Sequence, residues 1–170
     1  MFRKIKPEEL NKNPFTLIGK EWMLLTAAKP DGNFNQMTAS WGGLGILWNK
    51  PVCFCFIRPQ RYTHEFSEAG DRLSATFFSE DYRRALTLCG RKSGRDIDKV
   101  KECALTPVRD EKGTVYYEEA KVVLCCRKLY ADELKEECFL DRAMLEHYPE
   151  KDYHTMYVYE IEEVLIADNG

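Results

Sequence analysis

Phe56-Ile57-Arg58-Pro59-Gln60-Arg61-Tyr62-Thr63-His64-Glu65-Phe66 holds the densest chemistry in the chain. An apolar run delivers Arg58 at its end, Pro59 forces a turn, and Thr63 stands where a helix is expected to start. Exposed N–H groups at a helix start, a hydroxyl at the N-cap and two converging guanidinium groups suit a phosphate dianion. A plainer reading of the same residues is two arginines rimming the surface and a threonine that only caps its helix.

A second segment, Asn35-Gln36-Met37-Thr38-Ala39-Ser40-Trp41-Gly42-Gly43-Leu44-Gly45, is small and hydroxylated. Such residues leave backbone N–H groups accessible, and glycine permits close approach of a flat ligand or a tight barrel corner. A third, Cys89-Gly90-Arg91-Lys92-Ser93-Gly94-Arg95-Asp96-Ile97-Asp98-Lys99, is donor-rich and too polar for a core. Its glycine spacing fits neither a P-loop nor a dinucleotide fingerprint, and alone it reads as a solvated loop. Of the three histidines, His64 reads as a surface residue, His147 as a cation near a helix end, and His154 as a residue preceding a long strand.

The elements that position these groups read as strands with a few helices. Trp22 to Ala28 is a short apolar run ending at the turn signal Lys29-Pro30-Asp31-Gly32-Asn33. Met37 to Trp48 is apolar and small, and Val52 to Ile57 is apolar on both faces, as in a fully buried strand. Leu73 to Phe78, Lys121 to Tyr130 and Met156 to Ala167 read as further strands. Tyr82, Ala85, Leu86 and Cys89 fall on one helical face. A short helix is expected near Asp96 and another over Leu140 to Tyr148. Without regular βαβ alternation, this pattern predicts a mainly β, antiparallel barrel with helical excursions. Trp22, Trp48, Phe77 and Phe78 are expected in barrel filling or dimer contact.

At 170 residues, with no repeat or linker, the chain is the size of one domain, 1–170. A net charge of −3 removes the simplest case for a nucleic-acid partner. No run approaches the ~20 apolar residues of a membrane span, and the N-terminus turns charged where a signal peptide needs an apolar stretch. The cytoplasm is the expected compartment. Seven cysteines argue against a complete disulfide framework, and the absence of C-x-x-C argues against a metal site. Cys53 and Cys55 are expected on one strand face and Cys125 and Cys126 on opposite faces, all as small buried apolar residues.

The three segments in this order, with Asp152-Tyr153-His154-Thr155-Met156-Tyr157-Val158 near the end, resemble the flavin reductase-like, FMN-binding split-barrel family, most closely its flavoredoxin-like proteins. The resemblance runs from about Pro14 to Ile166. It implies a six-stranded antiparallel split β-barrel of Greek-key type with inserted helices, paired as a homodimer, with non-covalent FMN near the subunit interface. It implies Asn35, Thr38, Ala39, Ser40 and Trp41 against the ring and ribityl chain. Arg58, Arg61, Tyr62 and Thr63 are implied at the phosphate, and Ser93 and Lys99 at the ring edge or phosphate. His154 is implied near the flavin, as the catalytic residue, where NAD(P)H-using members bind nicotinamide. Flavin reductases usually show Gly-Asp-His before the last strand, where this chain has Asp152-Tyr153-His154.

The expected function is electron transfer through bound FMN, from NAD(P)H or a redox partner protein to an acceptor. A non-catalytic FMN-binding module and a dimeric interaction protein of the same fold are the other two readings. The residue chemistry is compatible with the first: Trp41 supplies a flat wall, the arginines a cationic end, and Lys99 a charge that would stabilise reduced flavin.

Overall fold

Apolar runs become ten strands among the described residues of the computed structural model, which covers 1–168. They are β1 (Phe2–Ile5), β2 (Met23–Ala28), β3 (Phe34–Ala39), β4 (Gly42–Leu47), β5 (Lys50–Ile57), β6 (Arg72–Phe77), β7 (Pro107–Arg109), β8 (Val115–Tyr117), β9 (Val122–Glu133) and β10 (Thr155–Ala167). Four helices accompany them: α1 (Pro14–Thr16), which runs into a π turn over Leu17–Glu21, α2 (Tyr62–Ala69), α3 (Arg83–Arg91) and α4 (Lys99–Glu102). A 3-10 turn over Arg142–His147 fills the region read as helical.

The main sheet is antiparallel throughout and runs β3-β2-β6-β9-β10-β5-β4, with β1 pairing the far half of β10. β3 and β4 stand at opposite ends of that path, yet only Ser40 and Trp41 separate them in the chain. Laid flat, six strand spacings would put these edges about 29 Å apart, whereas the link from Ala39 to Gly42 reaches at most about 11 Å. The sheet therefore curls until its ends meet. β3 and β4 do not pair with each other, so the barrel is split at that seam. Six strands, β3 through β5, make the expected wall; β4 prolongs it.

Strand alternation builds two cores. Along β2, Met23, Leu25 and Ala27 enter the barrel while Leu24 faces out; along β9, Val122, Leu124 and Cys126 enter while Val123 and Cys125 face out. The outer set is covered by Leu86 and Cys89 of α3, Leu105, and Tyr117 of β8. Cys53 and Cys55 share the inner face, and Cys125 and Cys126 divide between the two cores. All seven cysteines are free.

Four local expectations are corrected. The run from Met37 to Trp48 is two strands, broken at Ser40-Trp41, where Gly42 (φ +153°) passes so near β5 that a Cβ would collide with the Phe54 carbonyl. Trp48 is exposed rather than packed in the barrel, because with Asn49 it forms the two-residue turn between β4 and β5, both at positive φ. The helix expected near Asp96 begins at Lys99, since the Asp98 carboxylate accepts from the Lys101 N–H and caps it there. Arg61, not Thr63, occupies the N-cap of α2, without a side-chain cap. The turn closes early, with Arg61 N–H donating to the Arg58 carbonyl at 3.0 Å, so the helix starts at Tyr62 and Thr63 is carried into the interior.

Candidate functional site

Two ladder registers assemble the site. Gly42 faces Cys55 across β4 and β5, which brings Trp41 beside Phe56. Thr155 faces Ile57 across β10 and β5, which brings His154 beside Arg58. Antiparallel pairing thus places the end of β5 against the start of β10, at the barrel seam. A cavity of about 220 Å³ opens there, walled by Thr38, Ala39, Ser40, Trp41, Phe56, Arg58, Arg61 and His154. Trp41 is 48% exposed, with the imidazoles of His147 and His154 centred 5.3 and 5.4 Å from its ring.

Asn35, Tyr62 and Lys99 line a second cavity, of about 750 Å³, together with Gln36, Gly94 and Arg95. Gly94 is required at this wall because a Cβ there would collide with Asn35 Oδ1. Ser93 lines neither cavity; its hydroxyl accepts from the Arg95 N–H at 3.2 Å and shapes the loop. Thr63 lines neither as well. It is 0% exposed, and its hydroxyl oxygen accepts from Asn35 Nδ2 at 2.7 Å, so it holds Asn35 in place.

The two cavities are divided by the end of α3, where two cations converge. Arg61 donates to the carbonyls of Gly90 (2.7 Å) and Cys89 (3.1 Å), and Lys99 to those of Gln36 (2.7 Å) and Cys89 (3.2 Å). These bonds satisfy helix-end carbonyls. Neither cation has a carboxylate partner among the described residues. Burial pulls the Lys99 ammonium down to about 8 and the Arg61 guanidinium below its usual range. Beside them Gln36 is 2% exposed, and its Nε2 has no hydrogen-bond partner. A buried ammonium, a half-buried guanidinium and a buried donor without an acceptor suit an anionic, acceptor-rich ligand.

Arg58 is held differently. Its Nη1 donates to Asp152 Oδ2 at 2.6 Å and its Nη2 to the His147 carbonyl at 2.7 Å, while its guanidinium lies over the Tyr148 ring. Burial pushes the Asp152 carboxyl up, but hydrogen bonds from Gln60 and Arg58 outweigh it and hold it below the usual carboxylate range. Both arginines keep N–H donors to spare.

His154 is buried, and its Nδ1 shares a hydrogen bond with the Tyr148 hydroxyl at 2.7 Å. Burial, then the Arg58 charge, lowers it to about 4, so the imidazole is neutral near pH 7. The consequence for stability has a definite sign. Below its ordinary value of 6.5 the unfolded chain takes up a proton that the native state refuses, so stability falls as pH drops from 6.5 toward 4. The expected loss is about 2 kcal/mol. Denaturant unfolding at pH 7 and pH 4.5 checks this, with a shallower dependence expected in His154→Asn.

Gln36, Phe56, Tyr148 and Asp152 join the site without having been predicted. Gln36, Phe56 and Asp152 stand inside the segments singled out above without being assigned a role; Tyr148 arrives through a turn that residue types do not announce.

Residues 16–170 match a sequence profile described as a flavin reductase like domain. No curated protein matches the chain in sequence. The fold is similar to flavoredoxin of Desulfovibrio vulgaris (Miyazaki F), at 19% identity and a TM-score of 0.69, with 97% of this chain and 78% of that one covered. It is also similar to an FMN-binding domain of a flavin reductases-like enzyme from Shewanella baltica OS155, at 14% identity and a TM-score of 0.70, covering 98% and 77%. An NADH:FAD oxidoreductase of Streptomyces globisporus C-1027 matches at 13% identity and a TM-score of 0.66, covering 86% and 75%. Identities this low speak for the fold alone. The profile match, which spans nearly the whole chain, carries the assignment: the chain belongs to the flavin reductase-like domain family.

Proposed function

We propose that the chain binds FMN at the barrel seam and passes electrons through it. The observation that carries this reading is a pair of cations, buried Lys99 and half-buried Arg61, meeting at the Cys89 carbonyl without an acidic partner among the described residues. A dianionic tail answers the cations, ring carbonyls answer the orphaned Gln36 amide, and the indole of Trp41 answers a flat ring. Arg61, Arg58 and the exposed backbone of Thr38-Ala39-Ser40 would hold the cofactor, with Lys99 and Tyr62 on the far side of the divide. Asn35 would meet it in the orientation that Thr63 sets.

When bound, FMN supplies hydride acceptance and onward electron delivery. The chain's own contribution is placement and charge. Lys99 and Arg61 bring positive potential to the dianionic tail. His154, neutral and anchored through Nδ1 to Tyr148, keeps Nε2 available to orient a nicotinamide or another donor. The homodimer of our proposal would cover Ile46 and Trp48, exposed apolar side chains beside the β4 edge.

Titration of the purified protein with FMN, followed by flavin fluorescence quenching, tests the binding. Saturable quenching is expected, and a folded protein that leaves FMN free would remove the reading. Mixing the complex with NADH and NADPH then separates an enzyme from a module that only holds flavin. His154→Ala is expected to slow flavin reduction about tenfold or more while FMN affinity changes little; an unchanged rate would take His154 out of the chemistry.

A further inference from the structure

Two thiols outside the proposed contacts nevertheless touch their framework. Cys89 lies in the last turn of α3 and Cys103 caps the end of α4, with their sulfurs 3.7 Å apart. This is the only sulfur–sulfur hydrogen bond among the described residues. Cys89 is buried and Cys103 half-buried, which makes Cys103 the more accessible member of the pair. The Cys89 carbonyl is also the shared acceptor of Arg61 and Lys99. The segment between the two sulfurs carries Ser93 and Lys99.

We propose that Cys89 and Cys103 are a peroxide-oxidisable dithiol whose disulfide fastens the loop bearing Lys99. The Cys103 thiolate attacks one oxygen of hydrogen peroxide; the O–O bond breaks, and the leaving hydroxide takes a proton to become water, leaving Cys103 as a sulfenic acid. The Cys89 sulfur then attacks that sulfur, giving up its proton, and a second water leaves as the S–S bond forms. Two thiols lose two electrons and two protons, and one peroxide becomes two waters. The sulfurs close from 3.7 Å to the ~2.0 Å of a disulfide, and the closure draws on the carbonyl that anchors both cations. Burial holds both thiols above their ordinary range, most strongly Cys89, and at Cys103 the hydrogen bond with Cys89 and then the Lys99 charge offset part of it. Cys103, the less buried of the two, is the sulfur that peroxide meets first.

The test uses reduced protein treated with a small excess of hydrogen peroxide, then a maleimide, digestion and mass spectrometry. The expected product is a peptide pair joined through Cys89 and Cys103, together with slower amide exchange across residues 92–99. Both changes should be missing in Cys103→Ser, with Cys103→Ala replacing it if the serine variant melts early. Recovery of both thiols as maleimide adducts, or of Cys103 as a sulfinic acid without a bridge, would overturn the pair. A bridge formed with unchanged exchange in the loop would overturn the fastening. Neither readout uses flavin, so failure here and failure of FMN binding are separate results.

Discussion

Arg61→Gln is expected to weaken FMN binding about ten- to a hundredfold while leaving the affinity for riboflavin, which lacks the phosphate, nearly unchanged. A charge-assisted hydrogen bond contributes about 1.5–3 kcal/mol, and each 1.4 kcal/mol is about tenfold in affinity. Glutamine keeps a donor for the Cys89 and Gly90 carbonyls that Arg61 now satisfies, so the end of α3 stays in place. What it removes is the charge. Parallel titrations with FMN and riboflavin make the measurement. Equal losses for both ligands would show that Arg61 supports the fold of the site rather than the phosphate. Arg58 is the weaker choice for this experiment because Asp152 already neutralises it. A double change of Arg58 and Thr63 would be weaker still, since Thr63→Ala strands the Asn35 amide before any ligand arrives.

Lys99→Met is expected to lower FMN affinity about tenfold or more without lowering the melting temperature, and to raise it if anything. Burial lowers the ammonium from 10.5 to about 8, so keeping it charged at neutral pH opposes folding. The sign follows from the proton balance. Between pH 8 and 10.5 the native state has released a proton that the unfolded chain still holds, so stability rises with pH across that window. Methionine removes the charge and keeps the apolar stem. It leaves the Gln36 and Cys89 carbonyls one donor short, which offsets part of the gain. An anion stabilises the charged form, so wild-type FMN affinity should fall above about pH 8, and the variant should lose that dependence. Thermal melts of the ligand-free protein and FMN titrations at pH 7 and 9 settle both parts. A steep loss of stability in Lys99→Met would assign the lysine to structure instead of to the ligand.

Such an arrangement, costly to the fold and favourable to an anion, is how binding sites differ from cores. It also marks the boundary of what residue types reveal. Side-chain parity was readable: Cys53 with Cys55 inside, and Cys125 opposite Cys126, follow from the two-residue period of a strand. So was the strand–turn–helix that delivers Arg58 and Arg61, because Pro59 limits the backbone locally. Thr63 lies two residues past the N-cap it was read as, and that shift carries its hydroxyl from the surface to the interior.

The sequence by itself determined the directions in which side chains point and the places where the chain turns, since both depend on a few neighbouring dihedrals. Which groups meet was decided by the tertiary structure. Asp152 reaches Arg58 only after β5 and β10 are in register, and Lys99 reaches the Gln36 carbonyl and Cys103 reaches Cys89 only after α3 and α4 pack beside β3. Those distances come from long-range pairing and from the packing of α3 and α4 over the outer core, and no local pattern of residues contains them.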